Sequence, residues 1–153
     1  MVTDRLQGLL LECEEKRGSA EVERVLKLLL SDGRDDEELI LTIVANAGVH
    51  HMPPDIKRGE VFILSEGSLD FSTKDTIVRE FSDCLVQLAA ELKRKAWKKI
   101  YLVPYGPTTL SALAKLVVFR VTGMETVDVM HVGGGAYVDV EIDARSLILS
   151  GAS

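Results

Sequence analysis

The sequence predicts an α/β fold: a Rossmann-like, mostly parallel sheet with flanking helices, closed by an antiparallel C-terminal hairpin and preceded by an N-terminal helical hairpin. Three observations predict it. From residue 39 onward, short β-branched apolar runs alternate with longer stretches of helical period, the order that parallel βαβ units impose. Hydrophobic residues make up 46% of the chain and aromatics only 5%, so the core is built from Leu, Val, Ile and Ala, which suits helices packed on a sheet. At 153 residues the chain has the size of one ordinary domain, which buries roughly two-thirds of its unfolded surface and needs no staple.

The first thirty residues read as two helices. Leu6, Leu9, Leu10 and Cys13 recur at helical spacing, and after the break Arg17-Gly18-Ser19 a second stripe runs through Val22, Val25, Leu26 and Leu29. Ser19 supplies a cap and Ser31-Asp32-Gly33 a stop. An acidic hinge, Asp32 to Glu38, then divides a helical hairpin over residues 1–34 from an α/β domain over residues 35–153.

Leu39 to Val44 is a β-branched apolar run and reads as the first strand, ending at Asn46-Ala47-Gly48. Val49 to Gly59, with His50, His51 and two consecutive prolines, is a loop, and Glu60 to Leu64 a second strand. A long helix follows from Lys74 to Ala96, with Ile77, Phe81, Cys84, Leu85, Leu88 and Leu92 on one face. Ser72 and Asp75 have capping-box spacing at its start, and Lys93-Arg94-Lys95 complement the helix dipole at its end. Lys99 to Val103 is a strand, Leu110 to Val121 a helix whose apolar residues run nearly all round and predict burial on most sides, and Val127 to Met130 a strand. In the last strand, Tyr137 to Asp143, Val138, Val140 and Ile142 alternate with acidic residues, so one face is solvated. The short Gly133-Gly134-Gly135 link pairs it antiparallel with its predecessor.

Composition also excludes. A net charge of −6 does not suit a surface that coats duplex DNA, although a phosphate held by backbone N–H groups needs no basic field. No apolar run approaches a membrane span and the N-terminus has no signal-like apolar core, which places the protein in the cytoplasm. Cys13 and Cys84 lack a CxxC or a neighbouring histidine and read as reduced core residues. Adjacent His50 and His51 diverge on an extended loop, so no metal or other cofactor is expected. The basic cluster Lys93 to Lys99 around Trp97 reads as a solvated helix end, or as a rim that attracts an acidic partner.

Ligands of open parallel sheets bind beyond the carboxyl ends of the strands, so the loops after Leu64, Val103 and Met130 are the places to search. The first offers Ser65 and Glu66. The second, Pro104-Tyr105-Gly106-Pro107-Thr108-Thr109, leads into a helix whose free N–H groups near Leu110 and Ser111 outline an anion site. There Tyr105 can stack on a base while the hydroxyls of Thr108, Thr109 and Ser111 meet phosphate or ribose. An equally open reading makes Thr108 or Thr109 an ordinary N-cap in a proline-shaped turn. The third loop offers His131 and the triple glycine, either a close approach to phosphate or a hairpin turn. Walker A, GxGxxG and GxSxG motifs are absent.

The opening strand Leu39 to Val44, the strand Val61 to Leu64, the long helix ending at Ala96, and above all Lys99-Ile100-Tyr101-Leu102-Val103-Pro104 running into a small-residue helix, stand in a familiar order. A Tyr-bearing hairpin over Val127 to Ile142 completes it. This run, about two-thirds of the chain, resembles the SAVED domain and the related CARF domain, Rossmann-like sensors of cyclic oligonucleotides in bacterial antiviral defence. The chain departs from the SAVED pattern in having room for one Rossmann-like half instead of two, and no effector domain is recognisable beside it.

The resemblance implies a cyclic oligonucleotide ligand with Ser65, Tyr105, Thr108 and Thr109 at the site and His131 or Tyr137 on its rim. Glu66, Pro104, Gly106 and Ser111 complete the candidate set, and no catalytic residue is assigned. Binding is then transmitted by self-association or by recruitment of a separate effector protein. Two alternatives stand beside it. One is a ring nuclease-like phosphodiesterase with His131 as its proton carrier. The other is a ligand-free adaptor that docks through the leucine stripe of Leu6 to Leu29.

Overall fold

A computed structural model describes residues 2–30, 39–48 and 50–151. The chain divides into two compact units, Met1–Asp35 and Asp36–Ser153. The expected stop at Ser31-Asp32-Gly33, the acidic hinge and the boundary at residue 34 lie outside the described residues.

In the first unit, helices α1 (Val2–Arg17) and α2 (Ser19–Leu30) pack together around a turn at Gly18, whose N–H returns to the Glu14 carbonyl at 2.8 Å. Cys13 is exposed, contrary to the expectation of a core residue, and so are Leu6, Leu9, Leu11 and Val25. A pair of short helices covers the side chains along its seam and leaves the rest of an apolar stripe in water.

The second unit is a five-stranded sheet in the order β2-β1-β3-β4-β5. It comprises β1 (Ile40–Val44), β2 (Glu60–Ile63), β3 (Lys99–Val103), β4 (Val127–Gly133) and β5 (Ala136–Val140), with α3 (Lys74–Arg94), α4 (Thr108–Thr122) and α5 (Ala144–Ser150). The first four strands are parallel; β5 runs antiparallel to β4, as the glycine link predicts. Gly133, Gly134 and Gly135 all have positive φ, and side chains added there would meet open space, so the triple glycine acts as a hairpin turn.

The faces follow from the direction of each connection. Both β2→β3 and β3→β4 move the same way across the sheet, so right-handed crossovers put α3 and α4 on one face. There Leu41, Ile43, Ile100 and Leu102 meet Phe81, Leu88, Leu92, Leu110, Ala114 and Val118. The β1→β2 connection moves the other way and crosses the opposite face, where Ile56 of the 3₁₀ turn Pro54–Ile56 closes over Val44, Tyr101, Val103, Val127 and Val129. Thr42 pins that crossover: its hydroxyl donates to the Arg58 carbonyl at 2.6 Å and accepts from the Arg58 N–H at 2.9 Å.

Several details depart from the sequence reading. The cap of α3 is Thr73, whose Oγ1 accepts from the Thr76 N–H at 3.1 Å, while the Ser72 N–H is taken by Asp70 at 2.8 Å. The helix stops at Arg94 because the chain extends at Lys95 to swing Trp97 into the core. Trp97 is 1% exposed and its indole N–H donates to the Glu91 carbonyl at 3.3 Å, so it is no surface aromatic. The neighbouring cations are engaged: Arg94 binds Glu60 and Glu91, and Lys95 binds Glu60. Lys95, with Arg94 beside it, holds the Glu60 carboxyl below its usual value.

Helix α4 is buried along Leu110, Ser111, Ala114, Val118 and Thr122, but Leu116 and Phe119 are exposed. The last strand ends at Val140, earlier than its alternation suggests, because Asp143 turns the chain into α5 by accepting the Ser146 N–H at 3.0 Å. Cys84 is half-buried against the core, and burial raises its thiol above the usual value.

Candidate ligand-binding crevice

The connections leaving β1 and β3 depart to opposite faces of the sheet, so their carboxyl ends border a crevice at the topological switch point. Parallel pairing continues past the strand ends and fixes the crevice floor. The Ala45 N–H donates to Val103 at 3.0 Å, the Ala47 N–H to Ser65 at 2.9 Å, and the Gly67 N–H to Ala47 at 2.7 Å.

Asn46 sits in this lattice, 3% exposed. Its Nδ2 donates to the Gly67 carbonyl at 3.0 Å, which identifies the two ends of the amide, because a carbonyl only accepts. The Oδ1 atom is buried and has no hydrogen-bond partner among the described residues. Gly106 packs directly on this residue: its φ is 79°, and a Cβ there would lie 2.6 Å from Asn46 Cβ. The loop after β3 therefore requires glycine at this place both for its conformation and for the close approach.

Asn46, Gly67, Ser68, Gly106 and Pro107, with Leu69 and Phe71, line a crevice of about 440 Å³. Phe71 and Pro107 also line a groove of about 430 Å³ between α3 and α4, walled by Phe81, Leu85 and Leu113, with Thr109 adding a hydroxyl. Phe71 is 54% exposed and stands edge-on to Phe81, with ring centroids 6.4 Å apart, so packing holds the ring while much of it stays accessible.

Helix α4 begins beside this space. Its N-cap is Pro107, without a side-chain cap, so neither Thr108 nor Thr109 has the capping role. The Leu110 and Ser111 N–H groups, expected to be free, instead donate to the Pro107 carbonyl at 3.1 and 3.2 Å. The open donors of the helix end are those of its first two residues, Thr108 and Thr109, both exposed.

A second cluster lies on the opposite face. The hydroxyls of Tyr105 and Tyr137 hydrogen-bond to each other. His50 stands 5.4 Å from Tyr105, and His131 5.1 Å from Tyr137, its partner across β4 and β5. Burial, and then the bond to Tyr137, push the Tyr105 phenol well above its usual pKa, so it stays neutral and serves as a hydrogen-bonding group.

The ten residues singled out in the sequence are thus dispersed. Gly106 lines the crevice and Thr109 the groove beside it, with Thr108 at the same helix end. Tyr105, Tyr137 and His131 form the aromatic row. Ser65 turns inward, its Oγ donating to the Ala45 carbonyl at 2.6 Å, and Ser111 is buried in α4 with its Oγ unpartnered among the described residues. Glu66 and Pro104 are exposed, Glu66 as the bridge partner of Ala47. Asn46, Gly67, Phe71 and His50 were not among the ten. The signal for Asn46 was its place just after the first strand, a loop that becomes central only once β1 is known to lie between β2 and β3.

The crevice can do three things chemically. A ligand group that reaches the unpaired Asn46 Oδ1 has to be a donor, such as an exocyclic amine or a hydroxyl, because an anionic oxygen is repelled there. The helix end favours an anion. The exposed Phe71 ring offers a surface for a flat apolar group. Among the described residues no group of three or more His, Cys, Asp or Glu side chains is placed to hold a metal, and no helix is long and apolar enough to cross a membrane. No family model, curated protein or solved structure matches the chain.

Proposed function

We propose that this chain is a binding domain for a cyclic oligonucleotide, a single-unit sensor of the SAVED or CARF kind that works in the cytoplasm. The observation that carries the reading is the Asn46 Oδ1, a buried acceptor without a hydrogen-bond partner among the described residues, on a side chain that lines the switch-point crevice. Leaving such an acceptor unpaired costs about 1–3 kcal/mol, which a ligand donor offsets. A nucleotide combines what the surrounding groups ask for. Its base carries amine donors for Asn46 and a flat face for Phe71, and its phosphate suits the Thr108 and Thr109 end of α4. The order of strands and the Pro-containing loop after Val103 support the same reading. Binding is passed on through association with a second protein chain, as antiviral signalling requires.

A thermal-shift titration with cyclic di-, tri- and tetranucleotides tests this, each mixture being checked chromatographically for ring opening. Ligand at a hundredfold excess over its dissociation constant raises stability by about 2.7 kcal/mol. Intact ligand and a shift abolished by Asn46→Ala support the sensor. Ring-opened product transfers the assignment to a phosphodiesterase, and no shift with any member of the panel removes it.

A further inference from the structure

On the helical face of the sheet, beyond α4, lies a groove of about 750 Å³ that the nucleotide reading does not use. Its walls come from α4, β5 and α5 and include Leu116, Phe119, Ile142, Ile148 and Leu149, between 45% and 72% exposed. Val140 continues it along β5, and on the same face Val138 and Met130, paired across β4 and β5, are also exposed. We propose that this face is the contact between two copies of the chain, each seating its α5 against the groove of the other beside the β5 edge.

Three observations point to a second copy. These seven side chains are each 43–72% exposed on one face, an apolar patch on the order of several hundred Å², the size that marks an interaction site and that a standard interface of about 800 Å² per partner holds at its core. β5 ends the sheet, so its outer backbone groups are unpaired by any strand among the described residues and a two-fold axis can set two such edges antiparallel. The charges lining the groove are Lys115 and Arg145 against Glu125 and Asp128, a balanced set on a chain of net charge −6. Two acidic molecules meet with least repulsion on such a face, whereas a strongly charged partner finds no complement there.

Sedimentation equilibrium of the full chain over a wide dilution range tests the proposal, with circular dichroism to establish that each variant folds. The expected result is twice the chain mass for the wild type, halved by Ile148→Asp and by Phe119→Asp, both at exposed positions, and unchanged by Leu9→Asp on α1. A wild type at single mass throughout overturns the proposal, including one that co-sediments with phospholipid vesicles or saturates with a heterologous protein. A double-mass species that survives both groove variants and is lost in Leu9→Asp also overturns it. None of these outcomes depends on nucleotide binding, so this proposal and the sensor reading stand or fall separately.

Discussion

At the scale of single residues, the contact between Gly106 and Asn46 organises the crevice. Gly106→Ala forces a left-handed Ala and drives its Cβ onto Asn46. It is expected to lower stability by about 1–3 kcal/mol, read as a shift of the urea midpoint. Asn46→Ala behaves differently. It loses the bond to Gly67 but also removes an unpaired buried acceptor, so the net change in stability is expected to stay within about 1 kcal/mol while ligand binding is lost. An Asn46→Ala protein as unstable as Gly106→Ala would identify the amide as structural. Tyr105 was legible as a notable residue but not as one facing away from the crevice, because a loop residue's direction depends on the turn it enters, here a tight one in which the Tyr105 N–H returns to the Val103 carbonyl at 2.9 Å.

At the scale of elements, Thr73 caps α3 and Ser72 does not, so Thr73→Ala is expected to cost about 1 kcal/mol and Ser72→Ala less than about 0.5 kcal/mol in thermal unfolding. Both residues precede the apolar stripe with plausible spacing, and only the extended backbone at Thr73 decides between them. At α5, the Ser146 hydroxyl and then its N–H hold the Asp143 carboxyl below its ordinary 3.8. A carboxylate depressed in the folded state stabilises the helix above that ordinary value, and the contribution disappears as pH falls through the lowered one. Acid titration followed by far-UV circular dichroism should therefore show a loss of helix in the wild type that is already present at neutral pH in Asp143→Ala. α5 was not legible because the apolar–acidic alternation runs on to Asp143 and conceals the cap within a strand pattern. The four parallel strands were legible, since β-branched runs bounded by turn residues leave few other choices.

At the scale of the whole molecule, strand order governs where the site lies, and it is the property least written in local sequence. Periodicity identifies β1 but not its central place, and without that place Asn46 is merely the residue after a strand. The core itself is simpler to probe. Leu102 is wholly buried in central β3, and Leu102→Ala is expected to cost about 2–5 kcal/mol, with the chain's single tryptophan, buried Trp97, reporting unfolding by fluorescence. A nucleotide held in the β1/β3 crevice, as proposed above, would touch Asn46 and the start of α4. The measurement that tests it most directly is an amide-resolved NMR titration of the labelled chain with a cyclic oligoadenylate. Saturable shifts are expected in the Asn46 side-chain amide and in the Gly67, Gly106, Thr108 and Thr109 backbone signals. Shifts confined to α1 and α2 or to the Tyr105–Tyr137 row, or none at saturating ligand, would contradict it.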